Sequence, residues 1–319
     1  MNQHTIPNCY LKAWCDPAPL PEKHTPFIWL ISKDGKDKRK RAPRKAFTEA
    51  DRYTIRTRDG KKILIAEHTL MATEDAWVRI RPKIEARAAL TLEERFDLCA
   101  FAAAMQARSK GQGDHFAEFF RTVHRQVENL EKQRGAKPGL SLETGMHAEN
   151  AAPSTLAMTM LSLPQLLMRM KMVVFCTTID EGFITSDYPC LMFDPEAYKL
   201  PPLYRSPALL VPRTELTLPL TPQRLLLFHH GVQQGYLEAS QAAVDEANRR
   251  TRFNCTEYFV SHLGKLKDFW FDPGKAPEDS WEKSPEGIAA EEQRQRHLKA
   301  KAEWEADIKR RGNQDSLSQ

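Results

Sequence analysis

Residues 91–110 read TLEERFDLCAFAAAMQARSK, and their reading decides the fold. Thr91 with Glu94 is a capping box: the hydroxyl accepts the N–H three residues on, and the Glu reaches back to the cap. Phe96, Cys99, Ala100, Ala103 and Ala104 then share a helical face small enough for close packing. A helix is expected from residue 91 to about 110. On its N-terminal side Leu70, Trp77, Ile80 and Ile84 recur at mostly helical spacing over residues 67–90. On its C-terminal side Phe116, Phe119, Phe120, Val123, Val127 and Leu130 form a stripe over residues 114–132, and residues 154–170 read as a fourth helix. Between these two, residues 135–150 are Gly-, Pro- and polar-containing without a period and read as a linker.

Strand signals flank this helical block on both sides. Residues 26–32 (PFIWLIS) are rich in branched and aromatic side chains. Residues 51–57 and 61–66 bracket Arg58-Asp59-Gly60, and an Asp-Gly between two such runs predicts a hairpin. Further on, residues 172–179 (MVVFCTTI) and 183–186 (FITS) bracket Asp180-Glu181-Gly182, a hairpin-like turn. Residues 216–220 and 225–229 are two more apolar strands, 240–257 a helix, and 258–261 (YFVS) a closing strand. Segregated rather than alternating elements imply an α+β fold, with a mixed or antiparallel sheet and a central helical region. Residues 1–265 are expected to form one domain. Residues 266–319 form a charged C-terminal tail, helical or partly disordered, because it nearly lacks an apolar stripe.

The chain has 319 residues, 41% hydrophobic and 28% charged, which excludes a wholly disordered or fibrous protein. Six Cys without a Cys-x-x-Cys pair exclude a disulfide scaffold and a zinc knuckle. No charged n-region precedes an apolar h-region at the N-terminus, so a cytoplasmic location is expected. Residues 150–168 carry no charge, yet they contain Pro153, Pro164 and several hydroxyls. They read as a buried helix broken at Pro164 rather than a membrane span. Neither a Gly-x-Gly-x-x-Gly nor a Gly-x-Ser-x-Gly motif is present.

Net charge is +5, and its excess is local. Residues 33–45 (KDGKDKRKRAPRK) hold eight basic and two acidic residues, a net of +6, so the rest of the chain carries −1. The run reads as a solvated loop opening on an Asp34-Gly35 turn. Its Lys38, Arg39, Lys40 and Arg41 are candidate binding residues for nucleic acid or a protein partner.

The opening Gln3-His4-Thr-Ile-Pro7-Asn-Cys-Tyr10-Leu11-Lys12-Ala-Trp14 resembles the start of DUF4238, a bacterial family of unknown function, with Trp14 in place of the usual Phe. The resemblance continues in order through Tyr53, Glu67 and Glu74, Arg108, Phe183-Ile-Thr-Ser186-Asp187-Tyr-Pro189, Leu218-Pro-Leu-Thr221-Pro222, and Asn248 with Tyr258-Phe-Val-Ser261. It covers residues 1–265 and implies no activity, but it marks which polar residues to suspect.

His4, Glu67, Glu74, Arg108, Ser186, Asp187 and Asn248 are those residues. Gathered in one cleft, they would suit hydrolysis of a phosphodiester-type bond. His4 would then be base or ligand, Glu74 and Asp187 carboxylate ligands of a divalent cation, and Arg108 the clamp on the scissile group. Glu67 and Glu74, seven apart, share a helix face. The alternative is a non-catalytic binding or regulatory module, such as a stress or phage-response component, working through residues 33–45. Each residue also has a structural use: Asp187 is turn chemistry, Arg108 can brace Glu74, His4 can fix the N-terminus, and Asn248 can satisfy a loop.

Overall fold

Gln3 ties the N-terminus to the chain fifty residues on. It lies in β1 (Asn2–His4). Its Oε1 accepts the backbone N–H of Tyr53 at 2.6 Å and its Nε2 donates to Thr54 Oγ1 at 3.2 Å. A buried amide needs both bonds. The structure, a computed structural model, describes residues 2–19, 24–56, 61–275 and 277–315. After β1 come α1 (Asn8–Leu11), β2 (Ile28–Ser32), β3 (Lys38–Arg41), β4 (Thr48–Ala50), β5 (Ile55–Arg56) and β6 (Lys62–Ile63). β1 pairs with β4, β2 with β3 and β5 with β6, all antiparallel.

Two expectations change here. The basic run is an edge strand rather than a loop. Gly35, at φ +76°, closes a turn that brings residues 38–41 beside β2, and Ser32 Oγ donates to Asp34 within that turn. The hairpin at 51–66 shrinks to β5 and β6, since a helix already begins at Ile65; residues 57–60 lie outside the described residues.

The helical region holds α2 (Ile65–Glu85), α3 (Leu92–Arg108), α4 (Lys110–Gln133), α5 (Leu140–Glu149) and α6 (Ala151–Arg169). The capping box forms: Thr91 Oγ1 accepts the Glu94 N–H at 3.2 Å and Glu94 Oε2 accepts the Thr91 N–H at 2.9 Å. The last eleven residues of α3 are all buried, and their alanines let α2 and α6 close on it. The Trp77 and Phe101 rings stack at 5.0 Å.

Gly111 and Gly113 belong to the first turn of α4, four residues before its expected start. A Cβ at Gly113 would lie 2.4 Å from Arg52 Nη2, so a larger residue there would require the Arg52 side chain to shift. The expected linker contains α5. Glu131 Oε1 accepts the N–H groups of Gly139 and Ser141, and His147 stacks on Phe120 at 5.5 Å. α6 runs through Pro164 unbroken, because its Leu156, Leu163 and Leu167 are buried and offset the lost backbone bond. No helix among the described residues is long and apolar enough to cross a membrane.

The second half adds β7 (Lys171–Cys176), β8 (Thr185–Ser186), β9 (Leu191–Phe193), β10 (Glu215–Thr221), β11 (Arg224–His229), β12 (Gly235–Glu238), α7 (Gln241–Asn254), β13 (Tyr258–Ser261) and α8 (Pro285–Asp315). One sheet has the order β12-β7-β11-β10-β9, with β12 parallel to β7; another has β3-β2-β13-β8. The expected hairpin between β7 and β8 is absent, for the two strands join different sheets. Gly182, at φ +55°, turns the chain from one sheet to the other. The fold is α+β with mixed and antiparallel sheets.

The main core joins β1 and α1 neighbours to both sheets and to α2, α3 and α6, through Tyr10, Trp14, Leu30, Trp77, Phe101 and Phe228. Tyr10 donates its O–H to Pro219 O at 2.6 Å, and Trp14 Nε1 donates to Phe183 O. The chain divides into two compact units, Met1–Phe193 with Leu209–Asp272, and Asp194–Ala208 with Pro273–Gln319. The second unit contains α8. Within it Arg205 Nη2 donates to Glu282 Oε1 at 2.6 Å, and Lys199 pairs with Asp279 at 3.3 Å.

Candidate functional site

Four of the suspected residues come together where β1 meets the helices. Glu67 and Glu74 project from α2 and Arg108 ends α3. The Arg108 side chain is 3% exposed; its Nη1 donates to Glu74 Oε1 at 2.6 Å and its Nη2 to the His4 carbonyl. Tyr53 O–H donates to the Arg108 carbonyl at 3.2 Å, and the Cys9 thiol lies 3.8 Å from Glu74 Oε2.

Burial pushes the His4 imidazole below its usual range, against a bond to the Arg44 backbone, and the Arg108 charge adds to the lowering. Burial raises the Glu67 carboxyl against the pull of Arg108. The Cys9 thiol is pushed up to about 12 by burial and then by Glu74, so it stays protonated. His4 Nε2 and Arg108 Nε are buried without hydrogen-bond partners. The cluster therefore places an imidazole that gives up its proton more readily than usual near a carboxyl that keeps its proton more readily than usual, beside the brace of Arg108 and Glu74.

Asp187, Ser186 and Asn248 do other work. Asp187 Oδ1 accepts the Thr256 N–H at 2.7 Å, and its Oδ2 accepts those of Glu257 and Tyr258 at 2.6 and 2.9 Å. Ser186 Oγ accepts the Tyr188 N–H. Asn248 Oδ1 accepts the Ile184 N–H at 2.9 Å and its Nδ2 donates to Gly182 O at 2.8 Å. These side chains fasten β8 to β13 and to α7, because buried loop N–H groups need acceptors there. The single cleft expected from the sequence thus separates into a polar cluster and a fastening.

The cation expectation is corrected with it. Glu74 is engaged by Arg108 and Cys9, and Asp187 by three N–H groups. Among the described residues no group of three or more His, Cys, Asp or Glu is arranged to hold a metal ion.

The basic run makes a second candidate. In β3 the side chains alternate between sheet faces. Arg39 is opposite Leu30 and Arg41 opposite Ile28; Lys38 is opposite Ile31 and Lys40 opposite Trp29. On one face the Arg39 guanidinium lies 4.9 Å from the Tyr258 ring, and Arg41 Nε donates to Lys45 O at 3.1 Å. On the other, Lys40 Nζ sits 4.5 Å from the Phe27 ring and Lys38 Nζ 5.3 Å from Trp29. A groove of about 350 Å³ opens beside the arginine face, lined by Thr5, Arg39, Arg41, Lys45, Thr48 and Tyr258 among others. Lys45 lies in the basic run 33–45 suspected from sequence and Tyr258 in the family resemblance, whereas Thr48 was not among the suspected residues. The alternating register of the KRKR run was the available signal for this face.

The model of a family described as "Protein of unknown function (DUF4238)" matches residues 2–263. No curated protein and no solved structure matches the chain.

Proposed function

The chain belongs to the DUF4238 family, whose function is unknown, and we propose that this member binds a phosphate-bearing polyanion through β3 and its groove. The carrying observation is the exposed Lys38-Arg39-Lys40-Arg41 strand, held rigid by β2, with Arg39, Arg41 and Lys45 all turned to one groove. Cations on a fixed strand lose less freedom on binding than cations on a loop. Two of the acids lining the groove are engaged: Asp187 by three N–H groups and Glu49 by Arg52 at 2.5 Å. The test is binding of a labelled oligonucleotide and of heparin to the full chain, with Lys38, Arg39, Lys40 and Arg41 changed to Glu. Loss of binding is expected; binding that survives the charge reversal overturns the reading.

A second reading, hydrolysis of a phosphodiester-type bond, is favoured by one observation, the unpartnered His4 Nε2 near Glu67. In it His4 is the base and Glu67 the acid, while Asp187 takes no part. Turnover of DNA or RNA that falls in His4→Gln and Glu67→Gln but persists in a folded Asp187→Asn protein supports it. Turnover indifferent to His4 overturns it.

A further inference from the structure

β11 is apolar on both faces. Leu226 and Phe228 belong to the main core, so Leu225 and Leu227 look to the other side of the sheet. Phe175 of β7 stands opposite Leu225, and Thr217 of β10 opposite Leu227, so all four share that outer face. α7 lies over it, with Ala247 packed against the cluster of Phe183, Leu225 and Val244. The residues that α7 turns to the sheet are small. Ala243 and Ala247, four apart on one helix face, leave a cavity of about 330 Å³ between helix and sheet. Phe175, Phe183, Leu225 and Leu227 form its apolar wall. A helix that only had to cover this face would carry larger side chains, because an unfilled apolar space forfeits packing. The cavity shares no lining residue with the groove beside β3.

The charges at its rim are balanced. Arg250 Nε donates to Glu246 Oε1 at 2.8 Å and its Nη1 to Glu215 Oε2 at 3.3 Å, while its guanidinium lies 3.9 Å from the Phe193 ring. Arg249 Nε donates to Glu246 Oε2 at 2.7 Å, so two guanidiniums meet two carboxylates. Both ring nitrogens of His229 are bonded: Nδ1 accepts the Gly231 N–H at 3.1 Å and Nε2 donates to Gln233 O at 3.0 Å. A charged occupant would have to break one of these pairs or go without a counter-charge, which is costly in an apolar space. The Thr217 hydroxyl, on the wall beside Leu227, is left to hydrogen-bond an occupant.

We infer that this cavity is a binding site for a small uncharged aromatic molecule. Its rings lie between the alanines of α7 and the Leu225–Leu227 face, and its one hydroxyl or amine group meets Thr217. The volume is at the lower end of the roughly 300–1,000 Å³ of small-molecule sites, which suits a two-ring compound rather than a dinucleotide or a long lipid. Phe175 and Phe183 favour a ring, since edge and offset contacts between rings add to the gain from buried area.

The test titrates the full chain with 2-naphthol, naphthalene-2-sulfonate and 2-naphthylmethylammonium, one ring system in neutral, anionic and cationic form, followed by naphthyl fluorescence. 2-Naphthol is expected to bind at least about tenfold tighter than either ion. Ala243→Leu, which fills part of the cavity, should weaken it at least about tenfold, and Thr217→Val about fivefold. Ala242→Leu, at an exposed position of α7 outside the cavity, should leave it unchanged. No binding of 2-naphthol, an ion bound as tightly, or binding indifferent to Ala243→Leu overturns the inference. Nuclear Overhauser contacts measured on the unaltered protein remove dependence on the variants' folding. Contacts from the naphthol ring to the methyl groups of Leu225 and Leu227 support the inference, and contacts confined to residues outside the cavity overturn it.

Discussion

Arg108 Nη1 stands 2.6 Å from Glu74 Oε1, and the same guanidinium holds the His4 carbonyl. One side chain at the end of α3 thereby joins α2 and β1. Arg108 is buried while Glu74 is partly exposed, so the two partners are not equivalent.

Removing Arg108 strands a carboxylate and a carbonyl, whereas removing the Glu74 charge leaves an amide oxygen that still accepts. Arg108→Met is expected to cost about 3–5 kcal/mol and Glu74→Gln about 1 kcal/mol. Urea unfolding of both variants checks the order. An Arg108→Met protein within about 0.5 kcal/mol of the parent would show that the brace is dispensable.

Gly182 carries a stricter constraint. Its φ is +55°, and an added Cβ would lie 2.3 Å from Pro222 O, a backbone atom that cannot swing aside. Gly235 also has a positive φ, +90°, but its Cβ would meet nothing within 4 Å. Gly235→Ala should therefore cost about 1–2 kcal/mol of backbone strain alone, and Gly182→Ala clearly more. Thermal unfolding of the pair measures the difference; equal losses would mean that the turn relaxes away from Pro222.

What was legible in the sequence follows the range of the interaction that sets it. The Thr91–Glu94 cap is local and formed as read. The pairing of β7 and β8 is not local, and each strand found its partners in a different sheet. α5 was hidden because its Leu140, Leu142 and Met146 are exposed and it is held by Glu131 and His147 contacts to α4. The Asp-Gly signal at residues 59–60 lies between β5 and β6, which pair antiparallel, and the same signal at Asp34-Gly35 lies between β2 and β3, which pair likewise. In the candidate site, the nearness of His4, Glu67, Glu74 and Arg108 was marked by their motifs. The partners of Asp187 were not, because three backbone N–H groups leave no trace in residue identity.

Two histidines tie stability to pH. Burial lowers His4, and burial lowers His262 against a bond to the Asp180 backbone and the charges of Asp16, Asp180 and Glu181. With both folded values below the ordinary 6.5, the unfolded chain binds more protons. Their contribution is complete above the unfolded value and is lost as pH falls through the folded values. Stability should thus decline from about pH 7 to about pH 5, and less steeply in a His4→Gln/His262→Gln protein. Chemical denaturation at each pH reads this; identical slopes in parent and variant would place the titration elsewhere.

On the proposed polyanion reading, salt dependence would count the cations that β3 commits to phosphate. For single strands the slope of log K against log salt changes by about 0.7 for each phosphate neutralised. Arg39→Gln/Arg41→Gln removes two charges without introducing repulsion, so the slope should shallow by about 1.4. Arg121 and Arg125, exposed on α4 and paired with Glu118, provide a matched loss of charge away from the groove. Their replacement by Gln lowers net charge by the same amount, and on this reading it leaves the slope in place. If both double variants shallow it equally, the protein attracts anions through its overall charge. If only the β3 variant does, the contacts belong to the strand and its groove.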